Sequence, residues 1–548
     1  MRTERVLARL RGRSSWPYLA VIALGFSVFF FFNAYLCDDA FFSFRVADNF
    51  VRGHGLRWNA DDRVQTFTSP LHTLVFTALY ELTYDPSPLP NPDRIYLTAM
   101  SLSYLVSLFG ILWLAVRVPP RHFTPFFFLL LSSQAFVTFT SSGLENFWID
   151  LFVILFYGKF LFHEFDGPRD YFWAFLWATL CVVTRLDTAL LFLPACGYLL
   201  VKGHCAHGVR LLRGVALAGL PVVAWFAFSL IYYGFLLPNT YYAKIGLDVD
   251  ADVLRRMGAA YLTIGFLEDP ITLIALAVGI IASAFQFRTR FAGLSVALYT
   301  YYVFSLGGDF IGYRFLAAPF LLSALVGLAL VTQRELLTTR LRSAGVCAVL
   351  LLYGALTPGS PLRAFRDPPA AADVEYYFPA SNPARWRPGR SFPYGTFDGV
   401  VNAEHCRRLR RRSPRVSVSG GGYEAYCRGP ASHVINVSSI ADPLLARLVV
   451  RVDAPFLPGH LFKPIPLGYF ESLDTGTSAI ADPRLARYFE KLQTVITAPL
   501  FEPNRWKAIW ELNFTPARRF RHGYLPDRSY ERSAPPSLVE RLGWQGQR

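Results

Sequence analysis

Two adjacent carboxylates, Asp38 and Asp39, follow directly on one of the most apolar runs of the chain, in the stretch "CDDAFFSFR". A charge at a membrane edge is costly, and ionisable groups at that depth usually serve a pathway or a reaction. Short polar stretches of the same kind recur between later apolar runs. "SSGLEN" supplies Glu145, and "TRLD" supplies Arg185 and Asp187. "PNTYYAK" supplies Asn239, Tyr241, Tyr242 and Lys244, and "GGDFIGYR" supplies Asp309, Tyr313 and Arg314. A carboxylate can take the proton of a hydroxyl as that hydroxyl attacks. Arg and Lys can stabilise a departing phosphate through charge-assisted hydrogen bonds. A phosphate is already a good leaving group, so no second carboxylate is needed as general acid, in contrast to glycosidases. Adjacent residues on a helix point about 100° apart, so Asp38 and Asp39 are not expected to share one role. One would be the base, and its neighbour would orient it or bind substrate.

These residues need a scaffold that brings them to one place. The chain has 548 residues, 53% hydrophobic, 16% aromatic and only 17% charged. Soluble domains carry roughly 25% charged residues, so the composition reads as a membrane protein. About eleven apolar runs follow one another: Trp16–Leu36, Ile95–Val116, Phe123–Thr140, Phe147–Phe162, Tyr171–Val183, Leu186–Val201, Val215–Tyr233, Ile271–Phe285, Phe291–Leu306, Phe315–Val331 and Ala344–Leu356. Several fall short of the ~17 residues that span a bilayer unaided. Pro70–Tyr84 reads as a helix lying on or dipping into the outer surface. The net charge is +15, and much of the basic charge sits in short loops between the runs, where it sets orientation and does not call for nucleic acid. With "RTERVLARLRGR" inside, as an uncleaved anchor, the basic loops alternate with the polar stretches named above. Those stretches then lie outside, and so does the C-terminal third.

The expected fold is an α-helical polytopic membrane unit, residues 1–357, with an outer-face active site. It is followed by an extracytoplasmic domain, residues 358–548, of mixed α/β or β-rich character. "RVSVSGGGYEAYC" and "HVINVSSIADPLLARL" read as short strands with Gly turns, then a helix from Asp442-Pro443. Cys406 and Cys427 both fall in this part, and an oxidising compartment would allow a disulfide between them. "CRRLRRR" reads as a solvated surface or one resting on anionic headgroups.

Carboxylates and cations at an outer membrane face, with no nucleotide motif, suit transfer of a sugar from a polyprenyl phosphate. The ordered set of motifs also carries a resemblance. "DDAFFSFRVADNFVRGHGLRWNADDRVQTFTSPLHTL", with His54 in its "GHGL", resembles the first outer loop of a family of polytopic GT-C glycosyltransferases. "SSGLEN", "TRLD", "YYGFLLPNTYYAK" and "GGDFIGYRFLAAP" look like its later signatures, and "INVSSIADPLLARL" and "PGHLFKPIP" like its outer domain. The best-known members are the terminal arabinofuranosyltransferases of actinobacterial cell-wall assembly. The resemblance implies an inverting, nucleotide-independent transfer at the inner membrane, from a polyprenyl-phosphate-sugar donor to a glycan or glycoconjugate acceptor. It implies Asp38 or Asp39 as base, with Asp38 the first choice, and a carbohydrate-binding outer domain. Arg45, His54, Glu145, Arg185, Asp187, Asn239, Tyr242, Lys244, Asp309, Tyr313 and Arg314 are assigned to the donor phosphate and sugar. Leu186, Asn146 and Gln65 depart from the family pattern, which leaves the donor sugar and acceptor open.

No cofactor and no convincing metal site are read from the sequence, although carboxylates in two outer loops could hold a divalent ion. Oxygen-ligand sites need several convergent ligands, and sequence does not show convergence. Three other readings stand beside the transferase. They are a flippase for a lipid-linked sugar, a non-catalytic binding protein, and a GT-C enzyme acting on protein or lipid A.

Overall fold

The computed structural model describes residues 16–83, 92–245, 249–309, 312–357, 360–362, 394–396, 399–401, 403–449, 463–516 and 519–527. The basic N-terminal segment and the first part of "PGHLFKPIP" lie outside them. Each of the apolar runs forms a helix. In chain order the membrane unit contains α1 (Trp16–Asn33), α2 (Ala40–Val51), α3 (Pro70–Thr83), α4 (Pro92–Ala115), α5 (Pro120–Ser132), α6 (Gln134–Thr140), α7 (Asn146–Phe162) and α8 (Pro168–Thr184). There follow α9 (Ala189–His207), α10 (Val209–Tyr232), α11 (Asn239–Lys244), α12 (Ala251–Glu268), α13 (Pro270–Ser283), α14 (Phe287–Ser305), α15 (Arg314–Gln333) and α16 (Arg340–Leu356).

By length and composition, five described helices can cross a membrane, or up to seven if each bent pair counts as one span. The run Phe123–Thr140 is one such pair, since α5 and α6 meet at 79°. Ser133 makes the break: its hydroxyl accepts the N–H of Phe136 and so caps α6. The second bend, 111° between α12 and α13, falls at Asp269-Pro270, where the proline restricts the residue before it. α12 was not anticipated, because its first turns carry Asp252, Arg255 and Arg256. α15 is the central post. Its span is 78% buried, and it packs on α7, α13 and α14.

The C-terminal region is mixed α/β, as the first of the two expected alternatives has it, with more helix than strand among the described residues. Its elements are β1 (Tyr394–Thr396), β2 (Gly399–Val401), α17 (Ala403–Arg412), β3 (Val416–Ser419), α18 (Gly422–Arg428), β4 (His433–Asn436), α19 (Tyr469–Thr475), α20 (Pro483–Thr497) and α21 (Pro503–Phe514). β3 and β4 pair in parallel, and parallel strands need a crossover. The segment "GGGYEAYC" provides it as helix α18, where Gly turns between strands were expected. At Asp442 the carboxylate caps the N–H groups of Leu444 and Leu445, but only a 3₁₀ turn, Leu445–Arg447, follows. Cys406 and Cys427 are joined, tying α17 to α18.

Buried polar groups fasten this region to the first loop of the membrane unit. Arg45 is 1% exposed. It donates to the carbonyls of Trp58 (2.7 Å), Ser432 (2.9 Å) and Ala425, and its guanidinium lies 5.0 Å from the Trp58 ring centre. Asn239 is a second fastener. Its amide donates to the Asp442 (3.0 Å) and Ile440 (3.1 Å) carbonyls, and its oxygen accepts from Arg447 at 2.8 Å.

Candidate active site

The polar stretches converge on one cavity of about 330 Å³. Its wall includes Asp39, Glu145, Arg185, Asp187, Lys244, Asp309 and Arg314. Asp39 begins α2 without capping it, which leaves the side chain for the cavity. Its Oδ2 accepts from Arg314 Nη1 at 3.2 Å, and no hydrogen bond engages its Oδ1 among the described residues. Arg314, the first residue of α15, also pairs with Asp309 (Nε–Oδ2 2.5 Å). Asn146 holds the Arg314 carbonyl at 3.0 Å, so the guanidinium is aimed from a fixed backbone.

Arg185 forms the second cluster. It binds both oxygens of Asp187 at 3.0 Å and Glu145 Oε1 at 2.8 Å. Tyr299 donates to Asp187 at 3.0 Å. The Phe315 ring lies between the two guanidiniums, 4.5 Å from that of Arg185 and 5.0 Å from that of Arg314. Of the five N–H donors on each guanidinium, roughly two stay free for a ligand.

Lys244 closes α11 and faces the same cavity. It has no ion-pair or hydrogen-bond partner among the described residues. Burial, followed by repulsion from Arg314, lowers its ammonium to about 8 against the attraction of Asp39 and Asp309. Burial also raises the Asp309 carboxyl, with Arg314 opposing. Much of the rest of the wall is apolar: Leu237, Val249, Leu254, Val303, Leu306 and Ile440 among others. Ile440 comes from the loop after β4, so the C-terminal region completes the site.

The structure separates the two aspartates. Asp38 is 6% exposed and points away from the cavity. Its Oδ2 accepts the Gly422 N–H at 2.7 Å and its Oδ1 the Tyr423 N–H at 3.0 Å. Burial pushes its carboxyl up to about 6, against those two hydrogen bonds. A Cβ on Gly422 would lie 2.5 Å from the Asp38 carbonyl oxygen, so only glycine allows this approach. Of the pair, Asp39 lines the cavity and Asp38, the expected first choice of base, does not.

Five other assigned residues also stand outside the cavity. Arg45 and Asn239 are the fasteners described above. Tyr242 lies under the Arg447 guanidinium at 4.2 Å. Tyr313 donates to Glu268. His54 sits in the turn after α2, its N–H bonded to Asn49 O at 2.9 Å. Tyr241, singled out with its neighbours in "PNTYYAK", lines the cavity, and Thr66, Thr68 and Ser69 line it without having been singled out. The sequence sign for those three was the polar run "TFTSP" ahead of α3.

A further cluster joins Asp61, Asp62 and His433, whose ligand-type atoms lie within 4.8 Å of one another. His433 Nε2 faces the Asn59 amide nitrogen at 3.2 Å. Asn59 is oriented by the Val434 N–H on its oxygen at 2.9 Å, so Nε2 accepts. Nδ1 then carries the proton, 2.9 Å from Asp61, and offers no lone pair to a cation. Asp62 is 3% exposed, and neither of its oxygens has a hydrogen-bond partner among the described residues. Burial pushes its carboxyl up to about 7.

No protein-family model matches the chain, and no curated protein matches it. Among solved structures it is similar to ArnT from Cupriavidus metallidurans bound to undecaprenyl phosphate. The identity is 15%, covering 78% of this chain and 87% of that one, with a TM-score of 0.47. The apo state of the same protein gives 15% identity, covering 89% and 90%, with a TM-score of 0.45.

Proposed function

We propose that the protein is an inverting membrane glycosyltransferase of GT-C type. It moves a sugar from a polyprenyl-phosphate donor to an acceptor hydroxyl on the outer face of the inner membrane. The observation that carries this reading is that one largely apolar cavity is lined by both the Asp39 carboxylate and the Lys244 ammonium, which has no partner among the described residues. Lys244, with the free N–H groups of Arg185 and Arg314, would hold the donor phosphate and stabilise the charge it gains on leaving. Asp39 Oδ1 would take the acceptor proton. The apolar wall around Val249, Leu254 and Leu306 would receive the first isoprenoid units. Arabinofuranose is the proposed sugar, on the motif resemblance, and a cell-envelope glycan the acceptor. The C-terminal region would face the periplasm and bind carbohydrate.

The test uses purified protein in proteoliposomes, a panel of radiolabelled polyprenyl-phospho-sugars and an arabinan-like acceptor. Transfer from polyprenyl-phospho-arabinofuranose is the expected result. Transfer from another donor only would keep the reaction class and replace the sugar. Movement of the lipid-linked sugar across the bilayer, without transfer from any donor, would favour a flippase.

A further inference from the structure

α21 exposes two large aromatic rings, Trp510 at 65% and Phe514 at 54%. They sit one turn apart, with ring centres 4.9 Å from each other. Phe501, just before the helix, is 76% exposed. The opposite face is held by the C-terminal core through Ala508, Ile509 and Leu512. A grouped apolar patch on an otherwise packed element marks an interaction surface.

The helix is fixed to the end of α10. Arg505 Nη2 donates to the Tyr232 carbonyl at 3.1 Å, and Asn513 Nδ2 to the Gly234 carbonyl at 2.9 Å. A Cβ on Gly234, two residues past α10, would meet Val495 of α20 at 2.3 Å and Ile509 of α21 at 3.2 Å, so the chain leaving α10 packs closely on both helices. α10 is the least buried of the candidate spans, 11%, and near this end Phe228 and Ile231 are exposed. Its 24 residues rise ~36 Å, against a hydrocarbon core of ~30 Å. The α10 terminus that α21 grips therefore lies at the headgroup boundary.

At 100° per residue, the positions around α21 run in a set order. Arg505, Ile509 and Asn513 form the side joined to α10. Trp506, Trp510 and Phe514 come next, then Lys507, then Glu511 and Asn504. Glu511 pairs with Lys491 at 2.5 Å on the charged side. The aromatic stripe thus lies next to the side joined to α10, and a lysine follows it where a headgroup would stand. Amphipathic helices of this pattern lie in the membrane interface, and Trp favours that level. A glycan platform would want amides beside the rings. The nearest, Asn513, is already bonded to the Gly234 and Ile509 carbonyls.

We propose that α21 is an interfacial membrane helix whose Trp510 and Phe514 insert at the headgroup–acyl boundary beside α10, holding the C-terminal region against the bilayer. The test places the photocrosslinker p-benzoylphenylalanine at Trp510 in the full-length chain in native membranes. Phe228 on α10 serves as the lipid-facing control and Asn504 as the water-facing one. Lipid adducts at 510 should fall within ~3-fold of those at 228 and exceed those at 504 by ~10-fold, as insertion to the acyl boundary requires. Adducts at 510 no higher than at 504, or to glycan in place of lipid, overturn the proposal. In vesicles of brominated phosphatidylcholine and phosphatidylglycerol, Trp510→Phe should remove part of the quenched tryptophan emission. Unchanged quenching overturns it independently.

Discussion

Asp38 and Asp39 are neighbours in sequence and face opposite partners. The first takes the backbone N–H groups of Gly422 and Tyr423, and the second meets Arg314 at 3.2 Å inside the cavity. One carboxylate fastens the C-terminal region to the membrane unit, and the other is placed for chemistry. Substitutions at the two positions should fail in different ways.

Asp38→Asn keeps one carbonyl oxygen for two N–H donors. A buried donor left unmatched costs about 1–3 kcal/mol. The expected result is a lower melting temperature in detergent, with the folded fraction retaining its turnover number. Gly422→Ala should lower the melting temperature as well, because its Cβ meets the Asp38 carbonyl. A turnover defect in fully folded Asp38→Asn protein would contradict this division of roles.

On the proposed reaction, Lys244 would give the donor site a basic limb. Its ammonium, lowered to about 8 by burial, is charged below that pH and neutral above it. kcat/KM, which reports the free enzyme, should fall as pH rises through about 8. Lys244→Arg should move that limb beyond the range in which the protein is stable. Lys244→Met should lower kcat/KM on the order of 10-fold or more with little pH dependence, since it removes a charge-assisted contact.

Asp62 predicts the pH dependence of stability. Its folded-state carboxyl is raised from 3.8 to about 7, so between these values the folded form binds more protons than the unfolded one. Stability from this group is therefore present at low pH and declines as pH rises towards about 7, by at most ~1.4 kcal/mol per pH unit. Asp62→Asn should flatten the decline, read as melting temperature against pH from 4 to 8. An unchanged slope would show that Asp62 is solvated.

The disulfide Cys406–Cys427 closes a loop with a sequence separation of 21, a length for which the chain-entropy model gives about 3 kcal/mol. The double serine variant should melt earlier. It should also loosen α18, whose first N–H groups Asp38 accepts, so amide exchange should rise at residues 421–424 more than at β4.

Much of this arrangement was legible in the chain. The apolar runs fixed the helices, and the cavity draws Asp39, Glu145, Arg185, Asp187, Lys244, Asp309 and Arg314 from stretches already singled out by their setting. The errors have a common physical source. Arg45, Asn239 and Tyr242 are polar residues in conspicuous motifs, and nothing local distinguishes a buried fastener from a ligand-binding group. Their partners are the carbonyls of Trp58, Ser432 and Asp442 and the guanidinium of Arg447, most of them hundreds of positions away. The same holds for Asp38, whose role depends on a helix N-terminus nearly four hundred residues later. α18 was misread because "GGGYEAYC" combines a glycine run with aromatics, a pattern that suits strands and turns equally well.

The central claim is that Asp39 is the base, and one comparison tests it most directly. Wild type, Asp39→Asn and Asp38→Asn would be reconstituted in equal folded amounts, and sugar transfer from the polyprenyl-phosphate donor that the wild type uses would be timed. A positioned base contributes roughly 10²–10⁴-fold, so Asp39→Asn should lose at least ~10²-fold while Asp38→Asn stays within a few fold of wild type. Transfer by Asp39→Asn at the wild-type rate, or its loss only in folded Asp38→Asn, would contradict the assignment.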